Sequence, residues 1–89
     1  MLDLRDLRYF VAVYEAGGFG RAATVLKVAQ SNVSTRVLRL ERFIGAPVFE
    51  RRHRAIVPTP RGELLYRHAR RVLDQVDELE STFRAREAS

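Results

Sequence analysis

Residues 30–45 read Gln30-Ser31-Asn32-Val33-Ser34-Thr35-Arg36-Val37-Leu38-Arg39-Leu40-Glu41-Arg42-Phe43-Ile44-Gly45, and the spacing of their side chains decides what the rest of the chain must be. At about 100° per residue, Val33, Val37, Leu40 and Ile44 fall on one apolar stripe of a helix. Asn32, Thr35, Arg39 and Arg42 fall on the opposite side, flanked by Ser31 and Arg36, and no acid lies on that outward stripe. The apolar stripe needs a core to sit on. The outward one places short hydrogen-bonding groups near the helix start and guanidinium groups further along. That chemistry suits the major groove of DNA, where the leading residues meet base edges and the arginines meet phosphate. A surface helix with a solvated basic face would carry the same stripe, so this stretch alone leaves both readings open.

Upstream, Phe19, Ala22, Ala23 and Leu26 share one face of a second helix, and the small Ala22-Ala23 pair lets another helix approach closely. Lys27, Val28 and Ala29 form a tight connection with Val28 placed to plug the angle, which is helix-turn-helix spacing. No glycine is present in that turn, so Lys27 or a neighbour must accept a backbone conformation disfavoured for residues with a side chain. Further back, Leu4, Leu7, Val11 and Tyr14 recur at helical spacing, with Phe10 and Val13 widening the stripe. They predict a first helix over 3–16, closed by Gly17 and Gly18.

Downstream, Gly45 stops the central helix and Pro47 prevents its restart. Val48-Phe49 and Ile56-Val57 are β-favouring ends around the basic run Arg51-Arg52-His53-Arg54-Ala55, which reads as a hairpin with a positive tip. The tip lacks the Asn-Gly or Asp-Gly that secures a tight turn, and a disordered or looser loop is the alternative. Of Arg51, Arg52 and Arg54, Arg54 is best placed for the minor groove, where a narrow A·T-rich segment concentrates negative potential. Thr59 followed by Pro60 marks a helix start. From there Leu65, Ala69, Val72, Val76, Leu79 and Phe83 alternate steps of four and three, a heptad seam. Glu63 with Arg67, Arg70 with Asp74, and Glu80 with Arg84 stand at i, i+4 on the other faces. A helix from Pro60 to about Arg86 is roughly 40 Å long and cannot bury its whole seam on a small head. Leu65 and Ala69 could pack back on the first helix, but Leu79 and Phe83 predict a second copy of the chain.

The fold class that results is mainly α. A winged helix-turn-helix of three helices plus a two-stranded wing occupies 1–58, and a long dimerisation helix occupies 59–89. Composition agrees with one small globular unit: 89 residues, 46% hydrophobic and 30% charged, with a net charge of +5. Nine basic residues between Arg21 and Arg61 face only Glu41 and Glu50, the footprint of a polyanion binder. The chain has no cysteine, and its two histidines, His53 and His68, have no partner at ligand spacing, so no metal is expected. The longest apolar run, Tyr9 to Tyr14, spans six residues and the N-terminus is charged. Neither a secretory leader nor a membrane span is expected, and the reading is cytoplasmic. No carboxylate pair, nucleophile-base set or phosphate loop points to an enzyme. RNA is disfavoured because the aromatics lie mostly on apolar stripes.

The blocks LRYFVAVYEAGGFGRAA, VAQSNVSTRVLRLE and IGAPVFERRHRAIVPTPRG, followed by the long helix, resemble the LysR-type transcriptional regulators of bacteria across essentially the whole chain. The resemblance implies a sequence-specific, dimeric binder of double-stranded DNA whose target is an imperfect inverted repeat. It places base-reading and phosphate-positioning roles on Gln30, Ser31, Ser34 and Thr35, and the wing-arginine role on Arg54. Helical geometry adds Asn32, Arg36 and Arg39. It implies no cofactor for these residues, since a small-molecule effector would be held by a C-terminal domain absent here, and it leaves a tetramer and contact with RNA polymerase open. The chain departs from the family pattern at Ala29, where a capping Ser or Thr is usual, and at Gly18 and Gly20, often Ser and Thr. Ala55 replaces a common wing glycine and Thr35 a frequent arginine. Two other readings compete with the regulator: a non-specific architectural DNA binder, and a module that dimerises through α-helical pairing and takes acidic protein partners on its basic face.

Overall fold

The computed structural model describes residues 1–88, with side-chain surroundings for residues 1–84. Four helices and one hairpin follow in order: α1 (Leu4–Ala16), α2 (Phe19–Leu26), α3 (Gln30–Ile44), β1 (Phe49–Arg52), β2 (Ala55–Pro58) and α4 (Pro60–Ala88). The expected class, a winged helix-turn-helix followed by a long helix, is the one observed.

Each boundary has a local cause. Asp3 caps α1, its carboxylate accepting the Arg5 backbone N–H at 2.8 Å, and that bond, with the Arg5 side chain, holds the Asp3 carboxyl below its ordinary range. Gly17 and Gly45 close α1 and α3 at φ +79° and +81°, in the left-handed region that glycine enters without penalty. Lys27 closes α2 at φ +60°, the cost expected of a turn without glycine. Thr59 caps α4 by accepting the Gly62 N–H at 3.1 Å and also donates its hydroxyl to the Pro47 carbonyl at 2.7 Å.

The core is where all four helices and the start of the wing converge, α4 through Ala69 and Leu73. Leu7, Phe10, Val11 and Val13 of α1 meet Ala22 and Ala23 of α2, Val33, Val37 and Leu40 of α3, and Val48. Burying side chains of this size contributes about 1.5–3 kcal/mol for each of the larger ones. Leu4, expected on the α1 stripe, is 43% exposed, and the packed face of α1 begins at Asp6 and Leu7. Val28 packs against the core from the turn, as its position predicts.

Helix α4 divides the seam read from the sequence. Ala69 is 1% exposed and lies in the chain's own core with Leu73, so a second copy cannot reach it. Its small side chain lets α4 lie close along α1. Val72, Leu79 and Phe83 remain exposed on a stripe rotated by roughly a quarter-turn from the Ala69-Leu73 face. Of the expected i, i+4 pairs, Arg70 with Asp74 forms at 2.9 Å, whereas Glu63 instead accepts the Tyr14 hydroxyl at 2.8 Å. Tyr66 reciprocates by donating to Glu15 at 2.6 Å, and the Tyr14 and Tyr66 rings stack 3.7 Å apart. The carboxylate acceptors push both phenol pKa values up.

The start of α4 leaves no room for a side chain at residue 62. A Cβ on the buried Gly62 would collide with the Val48 carbonyl, which is fixed because it accepts the Thr59 N–H at 3.0 Å while the Val48 N–H is held by Glu41 at 2.9 Å. Gly62→Ala is therefore expected to destabilise the fold by about 2 kcal/mol or more, the upper range of overpacking. Chemical denaturation followed by circular dichroism measures it; a change under about 0.5 kcal/mol would show that this junction relaxes freely.

Candidate nucleic-acid interface

With Val33, Val37 and Leu40 buried, the orientation of α3 is fixed and its other face is open to solvent. Gln30, Ser31, Asn32, Ser34, Thr35, Arg39 and Arg42 are all exposed, and no other described element crosses over them. Ala29 provides no side-chain cap and Ser31 does not replace it; the Asn32 amide donates to the Ala29 carbonyl at 3.0 Å, while the Gln30 and Ser31 amides depend on solvent or a ligand.

Arg36, expected as a phosphate contact, makes contacts within the protein. Its guanidinium donates to Asp6 at 2.9 Å and lies over the Tyr9 ring, 5.0 Å from the centroid, leaving the side chain 21% exposed. The bond to Asp6 raises its already high pKa. Arg39 is tied to the same carboxylate through Nε at 3.2 Å but keeps 51% of its side chain exposed. The outward stripe of α3 carries no acid of its own, yet α1 supplies one from beneath, which the α3 pattern could not reveal. A clue lies in Asp6 itself, a charge at i+3 from Asp3 and four residues before Phe10, on the flank of the α1 apolar stripe.

The wing is a two-stranded antiparallel hairpin with Phe49 opposite Pro58 and Arg52 opposite Ala55. His53 and Arg54 alone make the turn, at φ +48° and +68°. This is the sense of a type I′ turn, whose twist matches that of the strands. Phe49 anchors the hairpin's root, its ring 5.3 Å from that of Phe10 and 5.9 Å from that of Phe19. Arg51 and Arg54 are exposed, and Arg52 pairs along its own strand with Glu50 at 2.8 Å. Ser34 and Leu38 of α3 share one cleft with Glu50 and Arg51 of the wing, so helix and hairpin form a continuous surface there. Leu38 and Phe43 of α3 are also exposed, apolar groups that the helical pattern does not single out.

Residues 4–63 match the family model described as bacterial regulatory helix-turn-helix protein, lysR family. The chain belongs to the LysR family. It is 43% identical over 72 residues to the HTH-type transcriptional regulator TfdT of Cupriavidus pinatubonensis, a match covering 81% of this chain and 32% of TfdT. The LysR-family fold here superimposes on a crystal structure of the BenM DNA-binding domain with catB site 1 DNA at a TM-score of 0.92, with 36% identity, covering 99% of this chain and 98% of that one. A CbnR DNA-binding domain in complex with DNA gives 0.84 and 37%, covering 98% of each chain. The chain spans about a third of the length of TfdT. It is thus a LysR-family DNA-binding domain, and no described helix is long and apolar enough to cross a membrane.

The wing turn holds two residues with side chains in the left-handed region, at roughly 1–2 kcal/mol each for ordinary residues. Asparagine tolerates that region better, so His53→Asn should stabilise the domain by up to about 1 kcal/mol and raise the melting temperature by several degrees, about 4–8 °C per kcal/mol at this size. A thermal melt that falls instead would mean the turn does not hold the conformation described.

Proposed function

We propose that these residues form the DNA-reading head of a dimeric, sequence-specific transcriptional regulator. The observation that carries the reading is the uncovered polar and cationic face of α3, held outward by its buried opposite face, in a chain whose structural relatives include DNA complexes. Gln30, Ser31, Asn32, Ser34 and Thr35 stand at the leading end of α3 and would meet base edges and nearby phosphates in the major groove. The outward end of Arg39 would meet phosphate. Arg51 and Arg52 would flank the backbone from the wing, and Arg54 at its tip would enter the minor groove. Thr35 cannot make the bidentate guanine contact of an arginine, so readout at its position rests on single hydrogen bonds or methyl contact.

The second copy would pair through the exposed stripe Val72, Leu79 and Phe83 with half-buried Val76, and Leu65 at its margin. An amphipathic helix with large apolar side chains in water is better covered than left bare. Two such heads would read an imperfect inverted repeat with half-sites at least one helical turn, about 34 Å, apart. A small-molecule effector would be held by a further domain of a longer protein, where a tetramer and contact with RNA polymerase would also belong. The bacterial cytoplasm, where the DNA lies, is the expected compartment.

Selection from randomised duplexes, followed by anisotropy titration of the winner and a scrambled control, tests the reading. An inverted repeat should emerge, Asn32→Ala and Thr35→Ala should change the preferred bases, and Arg54→Ala should weaken binding most at A·T-rich flanks. Equal affinity for both duplexes would replace the regulator with a non-specific architectural binder, and no binding at low salt would leave only a protein-interaction module. The pairing surface is tested separately. Val76→Asp combined with Leu79→Asp should give monomers in sedimentation equilibrium, whereas an intact dimer would place the interface elsewhere.

A further inference from the structure

Asp6 is the one buried charged residue among those described, 3% exposed, and it lies under the face of α3 that the proposed function turns toward DNA. Its two carboxylate oxygens are divided between two arginines one helical turn apart: Oδ1 takes Arg36 at 2.9 Å and Oδ2 faces Arg39 Nε at 3.2 Å. Arg36 is occupied on a second side by the Tyr9 ring. A single carboxylate thus faces two guanidinium groups, and the two are treated unequally. Arg36 is drawn inward, while Arg39 is held at its Nε and keeps half its surface outward.

This asymmetry bears on specificity. Attraction of a protein to any DNA grows with the number of phosphates its cations neutralise, and carries no sequence information. A flexible arginine beside the base-reading residues adds to binding at every site, correct or incorrect. An arginine fixed at one end can reach only the phosphates that docking in register presents to it. We propose that Asp6 is a specificity-determining residue, which withdraws Arg36 from non-specific phosphate contact and aims Arg39, so that the head discriminates better than its charge alone would allow. The inference rests on the DNA-reading role of α3.

The test compares the native chain with Asp6→Asn on the selected duplex and its scrambled control across a salt series. Asparagine keeps the shape but not the charge. With its partner gone, Arg36 is free to extend, since its side chain already reaches the surface. Non-specific affinity should rise roughly three- to tenfold at low salt, and the slope of log affinity against log salt should steepen by about 0.9 for each further phosphate that the protein neutralises. The ratio of specific to non-specific affinity should fall. Adding Arg36→Gln to Asp6→Asn should return the slope to its native value, which identifies Arg36 as the freed group. If Asp6 serves only to hold α1 against α3, both affinities fall together and the slope does not steepen, and the inference is overturned.

Should Asp6→Asn fail to fold, Arg36→Gln and Arg39→Gln in the native background decide the matter. Arg39→Gln should make the slope shallower by about 0.9 and Arg36→Gln by much less, whereas equal losses would show that Arg36 already contacts phosphate. Specific binding by the native chain without these variant effects sinks the inference alone. Absence of any duplex binding by the native chain removes the DNA-reading role and the inference with it.

Discussion

The contact on which the rest of this structure depends is the packing of Val33, Val37 and Leu40 against Leu7, Phe10 and Val13. That contact fixes the roll of α3 about its own axis. A rotation by one residue, about 100°, would bring polar groups into the core and turn Val37 to solvent. Everything else adjusts to it: α2 brings alanines where α1 and α3 leave little space, Val28 fills the turn, and Val48 closes the end. The surface offered to a ligand is therefore a by-product of core packing, defined by what α1 cannot cover.

Most of this is legible in the sequence because it depends on local periodicity and on residues with strong backbone preferences. Val33, Val37 and Leu40 repeat at helical intervals, Gly17 and Gly45 end helices, and Thr59-Pro60 begins one. The wing is legible in outline, although its turn defies the usual rule: His53 and Arg54 occupy positions that favour asparagine and glycine. Here the strand pairing and the Phe49 anchor outweigh the local preference.

What the sequence conceals depends on contacts across long separations. Asp6 and Arg36 are thirty residues apart, and nothing in the α3 stripe announces that an acid from α1 lies beneath it. In the same way, the heptad seam of α4 runs as one series in sequence but becomes two faces in space. Ala69 with Leu73 is covered by the head, while Val72, Leu79 and Phe83 are not. Periodicity identifies residues that need cover, and only the packing shows which cover each receives. The division also shows that the core continues past Pro58 into the first turns of α4, so head and helix share one hydrophobic centre.

The stacked Tyr14 and Tyr66, each bonded to a glutamate of the opposite helix, have a mechanical consequence. They act as a doubly pinned joint at the root of a lever. The 22 residues of α4 that follow Tyr66 span roughly 33 Å at 1.5 Å per residue, so a tilt of about 5° at the joint moves the far end by about 3 Å. That displacement is about the 3.4 Å rise of one base pair. In a pair of heads joined through their long helices, the stiffness of this joint would thus set how many base pairs of error in half-site spacing the assembly can absorb.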